Sequence, residues 1–417
     1  MNQQEFFPDG TLIEEWFYNV DEPRLQLLGK PYILTDYGIF DDGKIYTQAI
    51  QNLIDHIASE GGGVLIVPKG IYRTGAIFFK QGVHLYLQKQ GVLLASDDVS
   101  DYPVLTTRIE GETCSYFSAL INADSLNGFT IFGEGTIDGN GLKFWKAFWL
   151  RRAWNSECTN KDEQRPRLIY ISNCRNVLVT GITLQNSPFW TNHIYKSQYV
   201  RYLKCRIFSP NEPVAAPSTD GIDIDACTEI HIKNCSFDVN DDAIALKGGK
   251  GPWANEAAEN GANEKILIED CIYGRAAACL TCGSESIHNK NILVRRIKAK
   301  GTNRLLWLKM RPDTPQFYEF IKIEDFEGDF LHFLYIQPWK QFYDLKGRKD
   351  IQMSYADNIT IRNGNCTCKN YFNVKEDETQ YRLSRFIFEN LKIETKKNVC
   401  AEISIPFLTL NNVIVTV

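Results

Sequence analysis

The 417-residue chain has no run of 18 or more apolar residues, which removes a membrane-spanning helix from consideration. It has no excess of positive charge. Its 46 Lys and Arg stand against 51 Asp and Glu, a formal net charge of −5, so no basic field is available for nucleic acid. The opening Met1-Asn2-Gln3-Gln4-Glu5-Phe6 has neither a basic n-region nor an apolar h-region, so no secretion signal is read in this sequence. No Pro/Ser-rich linker or block of charge divides the chain, and one elongated domain is expected. The twelve cysteines follow neither the dense spacing of a small secreted scaffold nor a doubled Cys-x-x-Cys zinc pattern. Cys279 and Cys282 form one such unit without a second, and burial as small apolar residues is the expected state.

Apolar residues make up 44% of the sequence and charged residues 23%, a balance that can bury a large core and excludes disorder. Ile50, Leu53, Ile54 and Ile57 recur at helical spacing and Gly61-Gly62-Gly63 ends the pattern, which predicts a helix over Thr47 to Ser59. From Val64 onward, short apolar strands are broken by Gly, Asn, Asp and Pro, and helical periodicity largely disappears. Residues 1–63 are therefore expected to form an N-terminal extension with a capping helix, and 64–417 a β domain.

One phrase recurs through that domain. Asn176-Val-Leu-Val-Thr-Gly-Ile182, Glu229-Ile-His-Ile-Lys-Asn-Cys235, Lys265-Ile-Leu-Ile-Glu-Asp-Cys271 and Asn291-Ile-Leu-Val-Arg-Arg-Ile297 share an apolar alternation that continues at Phe320, Asn358, Arg385 and Phe407. From Glu229 onward copies lie roughly 22 to 38 residues apart, the period of a solenoid whose repeats bury their inner faces only by stacking. No Leu consensus, helix in each repeat or Trp-Asp signature supports another repeat fold, so an all-β, right-handed parallel β-helix is expected. Cys205, Cys235 and Cys271 would then form a ladder inside it, and the Thr47 to Ser59 helix would cover its open N-terminal end.

The residues that bear chemistry cluster in Ser218-Thr219-Asp220-Gly221-Ile222-Asp223-Ile224-Asp225 and Asn240-Asp241-Asp242-Ala243-Ile244-Ala245-Leu246-Lys247. Matching Ile222 and Ile224 to Ile244 and Leu246 as inward residues stacks Asp220 on Asp242, one rung of about 4.8 Å apart, with Asp241 beside them. Two ionised carboxylates at that spacing repel, so one is expected to hold a proton near neutrality, as glycoside hydrolysis requires. Turn capping or calcium binding would use the same residue types, and the pattern alone leaves these alternatives open.

With Ser-Thr-Asp220-Gly, Asn-Asp241-Asp242, Gly135-Thr-Ile-Asp-Gly-Asn-Gly141, Asn186-Ser-Pro-Phe-Trp-Thr-Asn-His193, Gly283-Ser-Glu285 and Lys309, the chain resembles glycoside hydrolase family 28 over nearly its whole length. This is the polygalacturonase and rhamnogalacturonan hydrolase family, and the likeness is to its gut-bacterial pectin-degrading branch. The resemblance implies inverting hydrolysis, with Asp241 as general acid and Asp220 and Asp242 activating water, without metal or cofactor. It also implies a periplasmic or secreted location with the signal removed. The chain departs from the family in two places. Ala276-Ala277-Ala278 stands where polygalacturonases carry Gly-His-Gly, and Trp307-Leu308-Lys309 stands where they carry Arg-Ile-Lys.

A sugar carboxylate calls for cations, and Lys309, Arg311, Lys247 and Arg304 are the candidates. Trp307 is a candidate stacking surface, His193 and Glu285 candidate cleft residues, and His288 is expected in a turn. The expected function is an α-glycosidase acting on galacturonic-acid-containing oligosaccharides of the rhamnogalacturonan kind. The inserts Gly248 to Asn263 and Pro338 to Asp357 would close one end of the groove and favour exo action. A polysaccharide lyase and a non-catalytic carbohydrate-binding solenoid are the alternatives. The expected partner is a pectic poly- or oligosaccharide, with no nucleic acid and no membrane, bound by a monomer.

Overall fold

The computed structural model describes residues 4–350, 352–375, 377–396 and 405–417. Among these, 27 strands join in one continuous set of parallel pairings, wound as a right-handed parallel β-helix. Each coil presents three faces. The recurring phrase makes the first, at Arg175–Thr180, Gln198–Leu203, Thr228–Lys233 and Ala262–Glu269. Three-residue strands such as Arg206–Phe208 and Ser236–Asp238 make the second. Asn192–Tyr195, Ile222–Asp225, Ile244–Lys247 and Leu280–Cys282 make the third.

The phrase encodes both bends of its coil. Its first residue is left-handed at Asn176, Glu229, Lys265 and Asn291 (φ 53–58°), and so is its sixth at Gly181, Asn234, Asp270 and Arg296. Only Gly enters that region freely and Asn and Asp do so tolerably, which explains their recurrence. Glu229, Lys265 and Arg296 accept it because the rungs above and below hold the backbone there. Between the bends, Ile230, Ile232, Ile266, Ile268, Ile292 and Val294 point inward and are buried. Cys205, Cys235 and Cys271 follow the second bend as a buried column of free thiols, and Cys279 and Cys282 are also free and buried.

The helix Thr47–Ser59 sets Ile50, Leu53, Ile54 and Ile57 into the first coils. Residue 63 is not a boundary in the sheet, because Pro31–Ile33 already pairs in parallel with Val64–Ile66. The segment before it runs along the flank of the solenoid. Phe7 and Phe17 pack on Leu267 and Leu293, and Arg295 holds the Glu5 carboxylate at 2.9 Å.

Two insertions break the repeat and were not legible as periodicity. An antiparallel hairpin pairs Val104–Ile109 with Glu112–Phe117. A helix, Leu142–Trp154, buries Phe144, Trp145 and Phe148 but leaves Trp149, Leu150 and Trp154 exposed, so its apolar residues form no single stripe. No helix among the described residues is long and apolar enough to cross a membrane.

Candidate active site

The third face builds the site. Ile222 pairs with Ile244 and Ile224 with Leu246, so two residues earlier Asp220 stacks on Asp242. One carboxylate oxygen from each of Asp220, Asp241 and Asp242 lies within 4.8 Å of the others. Asp220 and Asp242 are buried, whereas Asp241 is half-buried and accepts the Asp242 N–H at 3.0 Å. Burial raises the Asp220 pKa well above the carboxylate range, and the Asp223 and Asp241 charges add to it. Burial and the Asp242 charge raise that of Asp241 as well, with Lys309 and Lys247 opposing. Asp220 and Asp241 thus retain protons better than free carboxylates do.

Its charge is already balanced in part by ammonium groups. Lys309 Nζ donates to Asp242 Oδ2 at 2.7 Å, and Lys247 Nζ lies 3.3 Å from Glu285, 3.6 Å from Asp223 and 4.0 Å from Asp220. Burial works against the Lys247 charge, yet Glu285, Asp223 and Asp220 hold its pKa well above the usual value. Burial likewise opposes the Glu285 charge, and Lys247 and Arg311 overcome it and hold that carboxyl well below its usual range. A calcium ion among the three aspartates would face two cations in contact with the same carboxylates.

A cavity of about 330 Å³ is lined by Asp220, Asp241, Lys247, Arg304, Trp307 and Lys309, with Glu110, Trp190, Glu285, Trp339 and Gln341 as its walls. A second, of about 520 Å³, is lined by Phe148, Trp149, Arg152, Arg275 and Ala276. Both include Asn240, Asp241 and Ala277, so the two cavities meet at Asp241. A larger groove of about 670 Å³ around Phe317, Tyr355 and Tyr381 shares no residue with either.

Three candidate residues lie elsewhere or face differently from expectation. Arg311 is buried and bidentate with Asp313 at 2.8 Å through both contacts, so its fork is not presented to the cavity. His193 is fully buried, 3.3 Å from Asp225 Oδ2 and 2.7 Å from Arg167 Nη1, and burial lowers its pKa to about 4. Trp307 lines the cavity, but the Arg304 guanidinium at 3.8 Å and Lys309 Nζ at 4.1 Å from its ring centroid lie over the ring. It holds cations and does not present an open face to a sugar. Glu285 lines the cavity as part of the Lys247 and Arg311 pairing. His288 lies on another face, 2.9 Å from Glu319.

The walls come from insertions that local patterning did not connect with the site. Ile109 and Tyr116 of the hairpin pack on Phe189 and Trp190. Behind that contact, Arg108 pairs with Asp225 at 3.1 Å. Burial opposes the Asp225 charge, and Arg108 and His193 outweigh it and keep its pKa low. At the hairpin tip Gly111 adopts φ +72°, and a Cβ there would stand 2.8 Å from Glu285 Cβ and 2.9 Å from the Gly249 carbonyl carbon. Glu112 pairs with Lys161 and Lys346, and Arg348 hydrogen-bonds the Pro252 carbonyl. The hairpin and the two inserts therefore contact one another beside the cavity, which Glu110 and Gln341 help to line.

Residues 94–303 match the family model for glycosyl hydrolases family 28. A probable polygalacturonase of Vitis vinifera is 33% identical over 245 residues, which cover 56% of this chain and 47% of the relative. An endo-polygalacturonase of Pectobacterium parmentieri is 27% identical over 278 residues, covering 64% and 65%. The chain spans about half the length of the curated relatives it matches, from 41% to 56% in the first three. In fold, a hyperthermoactive exopolygalacturonase from Thermotoga maritima superposes with a TM-score of 0.79 at 23% identity, over 96% of this chain and 95% of that one. With half of its length matched by the family model and all three aspartates inside the matched span, the chain belongs to glycosyl hydrolases family 28.

Proposed function

We propose that this chain hydrolyses α-glycosidic bonds in pectic oligosaccharides, removing galacturonic-acid-containing units from one end of a rhamnogalacturonan-type substrate. The observation that carries the reading is the meeting of two unlike cavities at Asp241. On one side stands Arg304, suited to a sugar carboxylate, with Lys309 beside it on Asp242. On the other, Arg152 faces Glu163 at 3.5 Å and Arg275 pairs with Asp238 at 2.9 Å, leaving Trp149 and the amides of Asn211, Asn240 and Asn303 to meet an uncharged sugar. A carboxylate-bearing sugar next to an uncharged one, as in rhamnogalacturonan, fits that asymmetry.

In this reading Asp241 protonates the leaving oxygen. It is the most accessible of the three aspartates, sits where the cavities join, and has a raised pKa. Asp220 and Asp242 hold the attacking water from the opposite side. Inversion is taken from the family resemblance; the nearest-oxygen distance within 4.8 Å is shorter than the about 6.5–9.5 Å usual for inverting carboxyl pairs. Exo action is the reading given to the contact of the hairpin with the two inserts beside the cavity. The exopolygalacturonase of Thermotoga maritima supports it through fold likeness alone. Export to the periplasm or medium and a monomeric state complete the proposal.

The test is incubation of the wild type and Asp241→Asn with homogalacturonan and rhamnogalacturonan oligosaccharides, following products by chromatography and ultraviolet absorbance. Saturated monosaccharide released by the wild type, and reduced about 10²–10⁴-fold in the variant, is the expected result. An unsaturated absorbing product would instead identify a lyase. Binding without turnover across the panel would identify a non-catalytic solenoid.

A further inference from the structure

Arg304 stands on the same outward column as the aspartates. Ala245 pairs with Thr281 and Leu280 with Leu306, so counting back along these rungs the column reads Asp220, Asp242, Ala278, Arg304. The methyl of Ala278 fills little of the rung between Asp242 and Arg304, and the space above it belongs to the long arginine side chain. The Arg304 guanidinium lies 3.8 Å from the Trp307 ring centroid and 4.5 Å from that of Tyr335, and its Nη1 donates to the Ala277 carbonyl at 3.0 Å. Two aromatic rings and one backbone acceptor thus fix the fork.

The Asp242 and Asp241 charges and a Tyr335 hydrogen bond act on this fork, but no direct ion pair takes it up. Among the described residues no carboxylate forms an ion pair with Arg304, and its Nε is buried without a hydrogen-bond partner. Every other cation around the two cavities is committed. Lys309 goes to Asp242, Lys247 to Glu285, Arg311 to Asp313, Arg275 to Asp238 and Arg152 to Glu163. A half-buried guanidinium with spare donors, facing a cavity, has the form of an anion receptor, and its planar fork matches a carboxylate.

We infer that Arg304 is the specificity-determining residue of this site, receiving the carboxylate of the sugar held beside Asp241 and serving from the next rung where the Ala276–Ala278 segment offers no side chain to do so. The inference rests on the hydrolytic reading for its substrate class. It adds that selection for a free carboxylate over its methyl ester resides in this one side chain, clamped by Trp307 and Tyr335.

The experiment compares kcat and KM of the wild type, Arg304→Ala and Arg304→Lys on oligogalacturonides and their methyl esters. Alongside, calorimetry measures galacturonic acid and galactose binding to Asp241→Asn with and without Arg304→Ala. The wild type is expected to prefer the free acid. Arg304→Ala should lose about 10²-fold on the acid, mainly in KM, and little on the ester, because a pocket built to hydrogen-bond a group discriminates strongly against its absence. Arg304→Lys should recover part of the loss. Equal losses on acid and ester, or an unchanged preference, would overturn the inference while leaving hydrolysis in place. Arg304-dependent binding of galacturonic acid without turnover by the wild type would uphold the inference and sink the hydrolytic reading.

Discussion

Lys309 Nζ donates a 2.7 Å hydrogen bond to Asp242 Oδ2 while resting 4.1 Å from the Trp307 ring centroid and 4.9 Å from that of Trp339. The ammonium is held on three sides, so the Asp242 carboxylate has a fixed counter-charge and a fixed orientation. Replacing Lys309 with Met should lower kcat/KM by about 10²–10³-fold, the range seen when one preorganised donor is removed from an active site. Lys309→Arg should recover only part, since the longer, forked guanidinium cannot set a single donor where the compact ammonium meets Asp242 Oδ2. Steady-state release of reducing sugar measures both.

The packing of the hairpin tip on the facing loop yields a prediction about product length. Gly111 touches Gly249, Lys250 and Glu285 so closely that any side chain must move the hairpin tip or the facing loop. Gly111→Val, at a positive φ as well, should loosen that packing. On the exo reading the wild type releases single units from the start of the reaction, whereas the variant should release a spread of longer oligosaccharides with a several-fold lower rate. Early-time chromatography separates these patterns, and unchanged product lengths would argue that this packing does not set the mode of attack.

How far the site could be read from the sequence depends on which contacts are local to the repeat. Asp220 and Asp242 could be stacked because matching the alternation Ile222/Ile224 to Ile244/Leu246 fixes the register between the two rungs, and a one-residue slip would turn Asp223 and Asp225 into the core. Arg311 lies two residues beyond Lys309, on what alternation makes the same face, but the strand ends at Met310 and the chain turns Arg311 onto Asp313. His193 does share its column with Asp223, as the alternation implies, yet Arg108 and Arg167 cover it. Arg108 reaches Asp225 across 117 residues of sequence. No periodicity carries information about such an insertion, and the walls of the cavity were therefore invisible while its floor was not.

That cover makes a prediction about stability. Arg108, Asp225 and His193 are all essentially fully buried, with Arg108 Nε at 3.1 Å and His193 Nε2 at 3.3 Å from the same Asp225 oxygen. Removing one member leaves a charge in a low-dielectric setting without its partner. Asp225→Asn should therefore destabilise the fold by about 3–5 kcal/mol, as breaking a buried pair typically does. Urea unfolding measures it, and a loss below about 1 kcal/mol, the level of an exposed pair, would mean that water reaches this network.

Asp223 lies beneath the cluster, near enough to Asp220 for the two carboxyls to share a hydrogen bond, with Lys247 Nζ 3.6 Å away. Burial is the main cause that raises its pKa to about 8, with Lys247 opposing and the Asp242 charge assisting. A carboxyl whose folded value lies above its unfolded one favours the folded state while it keeps its proton. That contribution is complete below the ordinary Asp value near 4 and is lost as pH rises through about 8. The wild-type melting temperature should accordingly contain a decline between pH 4 and 8 that Asp223→Asn lacks, because the amide keeps the shape and never ionises. At pH 9 the variant should melt a few degrees above the wild type, and near pH 4 the two should converge or reverse. Calorimetric melts across this range decide the matter. Parallel curves would mean that Lys247 keeps Asp223 ionised throughout, so that the proton held beneath the cluster belongs to Asp220 alone.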